Sequence, residues 1–420
     1  MYQKTTLDNG LRVITVTMPH TQSVSICIFI GTGSRYEAET EAGVSHFIEH
    51  MLFKGTSKRT TSRAISEAIE GVGGILNGGT DKESTAYWCK VARPHFELAL
   101  DVLADMLLHA RFDPQDIAKE CRVIIEEINM SKDSPAQRVD MLIDGLLWPD
   151  HPLGRDIAGT RESVAAITRD TMLSYRQNQY LPTNTVVAIA GNIQHPKMVT
   201  AAGQALGSWT NQRVRPGYSA YKEQPARRLC IEAKDTEQVH LCLALPGLSL
   251  FHPQRFALDL LNIILGGGMG SRLFTEIRDK LGLAYSIHSY VDHFLDSGSV
   301  TVSAGVESKN LPTAIKAILE QLSLLRETVP EPELSKAKEM SKGRLLLSME
   351  DSRNVAGWVG GQEIRTERIL SINQIVSIID AITADELKGL ARELLVSSQL
   401  RLAAVGPIAE DEPLEELLKL

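Results

Sequence analysis

Three side chains in one short segment combine metal-binding nitrogens with a carboxylate. The segment His46-Phe47-Ile48-Glu49-His50 separates two histidines by four positions and places Glu49 directly before the second. Because a helix turns by about 100° per residue, His46, Glu49 and His50 would project from one side of one turn. Two neutral imidazoles can bind zinc, and a third protein ligand would leave the fourth coordination position to water. The metal lowers the pKa of that water, and Glu49 is placed to take its proton.

The pattern H-x-x-E-H is the inverted form of the commoner H-E-x-x-H zinc motif. Five residues with three fixed positions also occur by chance, so the alternative is a polar helix face that binds no metal. The zinc hypothesis therefore depends on a third ligand elsewhere in the chain.

A second helix supplies candidates for that ligand. The segment from Asp113 to Asn129 begins with a capping residue, and Pro114 fits the first helical position. An apolar stripe at helical spacing marks its buried face: Ile117, Cys121, Ile124 and Ile128.

The stripe distinguishes three glutamates on this helix. Relative to Ile117, Glu120 lies at about −60° and Glu127 at about −80°, both bordering the buried face. Glu126 lies at about 180° and faces solvent. Glu127 is therefore the better ligand candidate, and Glu120 is placed to orient a ligand. The alternative for both is a solvated helix flank.

Composition indicates a globular protein with two domains. The chain has 420 residues, too many for one ordinary core, of which 43% are apolar and 23% charged. A net charge of −8 argues against general nucleic-acid binding, which needs a basic surface. No apolar run is long enough to span a membrane, and the first residues resemble neither a secretory nor a transit peptide.

The cysteines indicate a reducing compartment. They are Cys27, Cys89, Cys121, Cys230 and Cys242. Their number is odd and no two have C-x-x-C spacing, which is typical of reduced thiols rather than a disulfide framework. We therefore expect a cytoplasmic protein without nucleic-acid or membrane partners.

Three anchors at a common offset reveal an internal repeat. Cys27 aligns with Cys242 in matching apolar segments, an offset of 215 residues (242 − 27 = 215). The other pairs at this offset are Thr168 with Thr383, each able to cap a following helix, and Gly191 with Gly406. We infer two homologous domains, 1–212 and 229–420, joined by a polar, turn-rich linker at 213–228.

The first half mixes strands and helices. Apolar runs predict strands at 11–17, 24–31, 85–92 and 184–191. Helical spacing predicts helices at 40–54, 60–72, 94–110, 114–131 and 170–178. Since the strands are both clustered and separated by helices, an α+β fold is favoured over a regular βαβ alternation.

The candidate residues belong to a larger set of recognisable motifs. The set comprises His46–Thr56, Glu127, Gly73–Asn77, His151–Arg155, Arg272–Arg278 and Gly282–Tyr285. Together they resemble the signature of the pitrilysin/insulinase family of zinc metallopeptidases (inverzincins), in its mitochondrial-processing-peptidase-like branch. The resemblance runs from Asn9 to about Gly406 and is far more specific than H-x-x-E-H alone.

The resemblance implies one zinc ion per chain, bound by His46, His50 and Glu127. It implies that Glu49 is the general base and that Glu120 is a supporting catalytic carboxylate. It also implies two homologous domains, each a mostly antiparallel sheet packed with α-helices.

The resemblance implies substrate contacts as well. Arg278 and Tyr285 would help to hold the peptide through a guanidinium and a phenol. Without the resemblance, a surface charge and a half-buried aromatic would be the preferred interpretations. Asn77 and Thr80 would lie on an edge strand that pairs with extended substrate, although Gly78 and Gly79 depart from the family's usual Asn-Ala pattern. The alternative for this stretch is a plain turn.

The second repeat lacks the metal residues. Adding the offset to the three motif positions gives Leu261, Ile264 and Leu265, all apolar, so only the first domain would be catalytic. The glycine-rich run Gly266–Gly270 lacks the Lys-Ser/Thr of a phosphate-binding loop. We therefore reject nucleotide binding and expect a tight turn at a helix end.

These features predict a zinc metalloendopeptidase that hydrolyses extended or unfolded peptides in a chamber between paired two-domain halves. Because the metal residues, Arg278 and Tyr285 occur in one chain, a homodimer could form complete sites. A heterodimer with an inactive homologue is the alternative assembly. The rival function is a non-catalytic structural subunit of the same fold, as in the core proteins of respiratory complexes. Retention of every metal residue disfavours that rival, and an adjacent base disfavours a purely structural zinc site.

Overall fold

A computed structural model describes residues 2–210, 213, 217–224, 227–409 and 412–420. The strands are β1 (Tyr2–Thr6), β2 (Arg12–Thr17), β3 (Ser23–Ile30), β4 (Ile75–Thr80), β5 (Thr85–Ala92), β6 (Thr185–Gly191), β7 (Leu229–Ala233), β8 (Val239–Pro246), β9 (Ala284–His293), β10 (Gly298–Val306) and β11 (Arg401–Gly406). The α-helices are α1 (Val44–Leu52), α2 (Ser62–Glu70), α3 (Phe96–His109), α4 (Pro114–Asp133), α5 (Pro135–Leu147), α6 (Arg161–Ala166), α7 (Arg169–Gln179), α8 (His195–Leu206), α9 (Arg255–Gly266), α10 (Leu311–Glu327), α11 (Glu331–Ser348), α12 (Ser352–Thr366), α13 (Ile372–Ala381) and α14 (Ala384–Leu394), and a π-helix covers Phe274–Lys280.

The described strands form two sheets. Their orders are β1-β2-β6-β3-β5-β4 and β7-β11-β8-β10-β9. In each sheet one neighbouring pair is parallel, β2 with β6 and β7 with β11, and the other pairs are antiparallel. The predicted α+β fold of mostly antiparallel sheets packed with helices is confirmed. Within the described ranges, no helix is both long and apolar enough to cross a membrane.

Every strand and helix predicted for the first half is present. The largest displacement is at α1, which begins at Val44 rather than at residue 40 because a 3-10 turn occupies Glu39–Glu41. The edge position expected for Asn77 and Thr80 is also found, since β4 is the last strand of the first sheet. The elements β1, α5, α6 and α8 were not predicted.

The internal repeat is visible at single residues. Thr168 and Thr383 each accept a backbone hydrogen bond from the residue three positions ahead, and so cap α7 and α14. Gly191 and Gly406 end β6 and β11 with φ of +150° and +155°. A Cβ would lie 2.6 Å and 2.8 Å, respectively, from the neighbouring backbone, so both positions require glycine.

The chain divides into two compact units, each with segments from both halves of the sequence. The first unit contains 1–128, 156–219 and 346–371, and the second contains 129–155, 220–345 and 372–420. The predicted halves 1–212 and 229–420 do not coincide with these units, because α12 packs on the first sheet whereas α5 packs on the second. Residues 211–212, 214–216 and 225–226, most of them in the predicted linker at 213–228, lie outside the described residues.

Close contacts hold α12 on the first sheet. A Cβ added at Gly360 would lie 2.5 Å from the ring of Phe29, so the helix approaches the sheet as closely as glycine allows. Glu363, which is 1% exposed, forms ion pairs with Lys4 and Arg12 of the first two strands. Two cations compensate the burial of this carboxylate.

Gly360→Ala is expected to lower the free energy of unfolding by about 1–3 kcal/mol, because the new methyl group must displace Phe29. Gly357→Ala is the matched control on the same helix, since its Cβ would meet nothing within 4 Å. There the higher helix propensity of alanine should raise the free energy of unfolding by about 0.5–1 kcal/mol. Urea unfolding followed by circular dichroism measures both changes. Equal stabilisation by the two substitutions would contradict the packing of α12.

Candidate metal centre

The metal motif lies on α1, whose buried face sets the direction of its polar side chains. The apolar residues of that face are at most 1% exposed and belong to the core of the first unit: Val44, Phe47, Ile48, Met51 and Leu52. His46, Glu49 and His50 occupy the remaining side and are partly exposed. The shared orientation predicted from the helical angle is therefore present.

A buried carboxylate anchors the N-terminus of α1. Glu37 accepts hydrogen bonds from the backbone N–H groups of Gly43 and Ser45, both at 2.8 Å. Negative charge is favourable at a helix N-terminus, where the first N–H groups lack partners within the helix. Sequence reasoning did not identify Glu37, although an acidic residue shortly before a predicted helix start is a signal for such a cap.

The three predicted ligands converge on one point. His46 Nε2 and His50 Nε2 are 3.1 Å apart, and Glu127 Oε2 lies 3.9 Å and 3.7 Å from these nitrogens. Donor atoms at a tetrahedral zinc ion are about 3.3 Å apart, because each bond is about 2.0 Å long. Two imidazole nitrogens and a carboxylate oxygen are also donors that zinc accepts. In the described part of the chain, this is the one cluster of three or more such side chains that could hold a metal ion.

Helix α4 contributes both predicted glutamates. Glu127 is partly exposed, whereas Glu120 is 3% exposed and lies with one oxygen 3.9 Å from His50 Nδ1. Glu120 also forms an ion pair with Lys54, a residue whose role the sequence did not predict. Glu120 thus lies on the Nδ1 side of His50, whereas Glu126 is exposed.

Glu49 is held by the edge strand. Thr80 Oγ1 donates a hydrogen bond to Glu49 Oε2 at 2.7 Å, a contact that sequence reasoning missed when it assigned Thr80 to substrate. Gly78 leaves room beside the carboxylate, because its Cβ would lie 3.3 Å from Glu49 Cγ and 3.0 Å from the Phe53 ring. Burial raises the pKa of Glu49 above its usual value, while the hydrogen bond from Thr80 opposes that rise. A carboxylate with a raised pKa is a stronger base than an exposed one.

The environment keeps His46 neutral. Burial lowers the pKa of His46 to about 4, with a smaller contribution from the neighbouring His50. The imidazole is therefore uncharged at neutral pH, which is the form that binds metal.

The remaining predicted residues lie on edge strands or beside them. Asn77 is exposed on β4, and its side chain accepts a 2.8 Å hydrogen bond from the backbone N–H of Gly78. Arg278 and Tyr285 belong to the second unit, where Arg278 Cζ lies 5.2 Å from the centre of the Tyr285 ring. Tyr285 is 77% exposed and is the second residue of β9, the last strand of the second sheet. Arg278 thus contacts the Tyr285 ring, whereas Thr80 forms a hydrogen bond with Glu49.

Comparison with protein families accounts for both repeats. The model for the insulinase family, peptidase family M16, matches residues 12–161, and the model for the M16 inactive domain matches residues 166–341. The chain belongs to peptidase family M16. The first match contains His46, His50 and Glu127, whereas the second covers Leu261, Ile264 and Leu265, which are at most 5% exposed.

M16 relatives extend over nearly the whole chain. An uncharacterized zinc protease of Bacillus subtilis is 36% identical over 410 residues, covering 97% of this chain and 98% of its own. Another, of Mycobacterium leprae, is 38% identical over 423 residues, covering 99% and 94%. The predicted membership of the pitrilysin/insulinase family is confirmed.

Two solved structures share the fold. A protease from Helicobacter pylori has a TM-score of 0.90 at 22% identity, covering 97% of this chain and 99% of its own. A peptidase M16 inactive domain from Pseudomonas fluorescens also has a TM-score of 0.90, at 20% identity, covering 98% and 99%. At these identities the likeness establishes the fold alone, because one fold hosts many functions.

Glu127→Gln is expected to weaken zinc binding by more than about 100-fold, since even residues that only support a ligand contribute about 10- to 100-fold. Glu126→Gln is the matched control, because Glu126 directly precedes Glu127 on the same helix and its carboxylate is exposed. Competition with a chelating dye measures both affinities. Equal affinities in the two variants would contradict the assignment of Glu127.

Proposed function

We propose that the chain is a zinc-dependent endopeptidase acting on extended or unfolded peptides. The observation that carries the proposal is the cluster of His46, His50 and Glu127, whose donor atoms lie within 4.8 Å of one another. Glu49 on the same turn adds a partly buried carboxylate held by a hydrogen bond. Relatives described as zinc proteases support zinc as the metal.

The residues divide the chemical work among them. A bound zinc ion would lower the pKa of a water molecule and polarise the scissile carbonyl. Glu49 is placed to accept a proton from the water whose oxygen would attack the carbonyl carbon, and to deliver that proton to the amine as the C–N bond breaks. Thr80 keeps the Glu49 carboxylate in one orientation, since its hydroxyl donates to Oε2 at 2.7 Å. Glu120 lies 3.9 Å from Nδ1 of His50, on the side from which a carboxylate can orient the ring, and Lys54 compensates the buried charge of Glu120.

An extended peptide would bind by adding a strand to β4. Because β4 is the last strand of its sheet, its outer backbone groups can pair with a substrate strand. Asn77 lies exposed on this strand, and Gly79 leaves open space where a side chain would stand. In the second unit, the contact between Arg278 and Tyr285 and the exposure of Tyr285 support their role as peptide contacts.

We propose a cytoplasmic homodimer that degrades or processes peptides in a chamber between paired halves. All five cysteines are free thiols, which suits a reducing compartment. The metal residues and the pair Arg278 and Tyr285 occur in one chain, so two copies could form complete sites without a different partner. The acidic net charge of −8 supports the absence of a nucleic-acid partner.

Glu49→Gln is expected to lower kcat by about 100- to 10,000-fold, because it removes the general base. Its zinc content should stay unchanged, since the three ligands remain. A quenched peptide library measures turnover, and chelation should stop the wild-type reaction until zinc is restored. Glu126→Gln serves as the control that keeps both zinc and activity.

Two results would count against this function. Equal turnover by wild type and Glu49→Gln would contradict the mechanism. Full-length wild-type protein without zinc and without cleavage would favour the structural-subunit alternative.

Thr80→Val is expected to lower kcat by about 10- to 100-fold, because a hydrogen bond to a charged group contributes about 1.5–3 kcal/mol. Thr80→Ser retains the hydroxyl and should recover most of the activity. Steady-state kinetics on one peptide compares the two. If valine and serine at this position gave the same kcat, Thr80 would have no role in holding Glu49.

A further inference from the structure

The second unit contains a pocket to which no role has been given. It has a volume of about 220 Å³ and lies between the glycine-rich loop Gly266–Gly270 and helix α11. Its apolar wall consists of Ile263, Ile264, Ala337 and Met340. Such a wall suits an aliphatic group rather than a fully hydrated ion.

Basic side chains of α11 hold the glycine-rich loop over this pocket. Lys336 Nζ donates to the carbonyl of Gly270 at 2.8 Å, and Arg344 Nη2 donates to that of Gly267 at 2.7 Å. A Cβ at Gly268 would lie 2.9 Å from Met340 Cε, so a side chain there would press on the pocket wall. Contacts between the glycine-rich loop and α11 therefore define the shape of the pocket.

A buried hydroxyl lines the pocket without a partner. Ser271 is 5% exposed, and within the described part of the chain its Oγ has no hydrogen-bond partner. Leaving a buried polar group unpaired is unfavourable by about 1–3 kcal/mol, so a ligand that accepts this hydrogen bond would gain affinity.

The charges around the pocket favour an anion. Arg272 and Glu333 neutralise each other through contacts of 2.6 Å and 3.0 Å. Lys336 pairs with no carboxylate among the described residues, and its bond to Gly270 uses one of its three donors. The pocket therefore carries one positive charge with donors to spare.

We propose that this pocket binds a short aliphatic chain ending in a free carboxylate. The carboxylate accepts hydrogen bonds from Ser271 and Lys336, and the chain packs on Ile263 and Met340. A cavity of about 150 Å³ holds benzene, so the volume here suits about eight non-hydrogen atoms. Two sources share this chemistry: a free carboxylic acid of about six carbons, and the C-terminal leucine of a peptide.

Titration of the full-length protein with hexanoate, 1-hexanol and hexylammonium tests the proposal. The three compounds share a chain and differ in the head group. Calorimetry should show saturable hexanoate binding with a dissociation constant on the order of 1 mM. Hexanol should bind at least about fivefold more weakly, because it lacks the charge. Absence of saturable hexanoate binding, or equal binding of hexylammonium, would overturn the proposal.

Variants locate the site. Ser271→Ala should weaken hexanoate about fivefold and Lys336→Met at least about tenfold. Lys338→Met is the matched control, because Lys338 also donates to a backbone carbonyl, that of Asp380 at 2.8 Å, but does not line the pocket. Hexanoate binding that both pocket variants leave unchanged would refute the assignment.

A final arm identifies the source of the carboxylate. Competition by acetyl-Gly-Leu but not by its amide would assign a peptide C-terminus, and failure of both peptides to compete would assign a free acid. Competition by the amide as strong as that by the acid would refute carboxylate recognition. These measurements require no turnover, and Glu127→Gln protein should give the same hexanoate affinity. Failure of the proposed peptidase function is thus distinguishable from failure of this site.

Discussion

The burial of one face of α1 is the interaction on which the candidate metal centre depends. Phe47, Ile48 and Leu52 have no exposed surface, so turning the helix would expose apolar area at about 25 cal/mol per Å². That cost fixes the direction of the histidines on the opposite side. Helix α4 joins the same core through Ile124 and Ile128, which fixes the direction of its glutamates. Two apolar faces packed in one core therefore bring the polar donors together.

The repeat shows that this architecture does not itself require a metal. The second unit uses the same strand ends and helix caps, yet the positions that correspond to the metal motif are the buried side chains Leu261, Ile264 and Leu265. The helices α5 and α12 occupy corresponding positions in the two repeats. Helix α5, from the first half of the sequence, packs on the second sheet, and α12, from the second half, packs on the first sheet. Chemistry is thus a property of a few side chains added to the fold.

Local patterns predicted what depends on neighbouring residues. The helical angle was enough to place His46, Glu49 and His50 on one side and to prefer Glu127 over Glu126, because both conclusions need only one helix at a time. The repeat offset identified the caps and the strand-ending glycines, because each of these roles depends on the residues next to it in the sequence. Contacts between distant segments were not predictable in this way. Tertiary packing produces the hydrogen bond from Thr80 to Glu49 and the ion pair of Lys54 with Glu120. It also places α5 on the second sheet and α12 on the first.

The most direct test of the central claim is the zinc-edge X-ray absorption spectrum of the purified full-length protein. The geometry of His46, His50 and Glu127 predicts two imidazole nitrogens, with oxygen ligands completing the shell at about 2.0–2.2 Å. Glu127→Ala should change the oxygen contribution and leave the imidazole signal of any bound zinc. A sulfur shell at about 2.3 Å, or a spectrum without imidazole, would contradict the account.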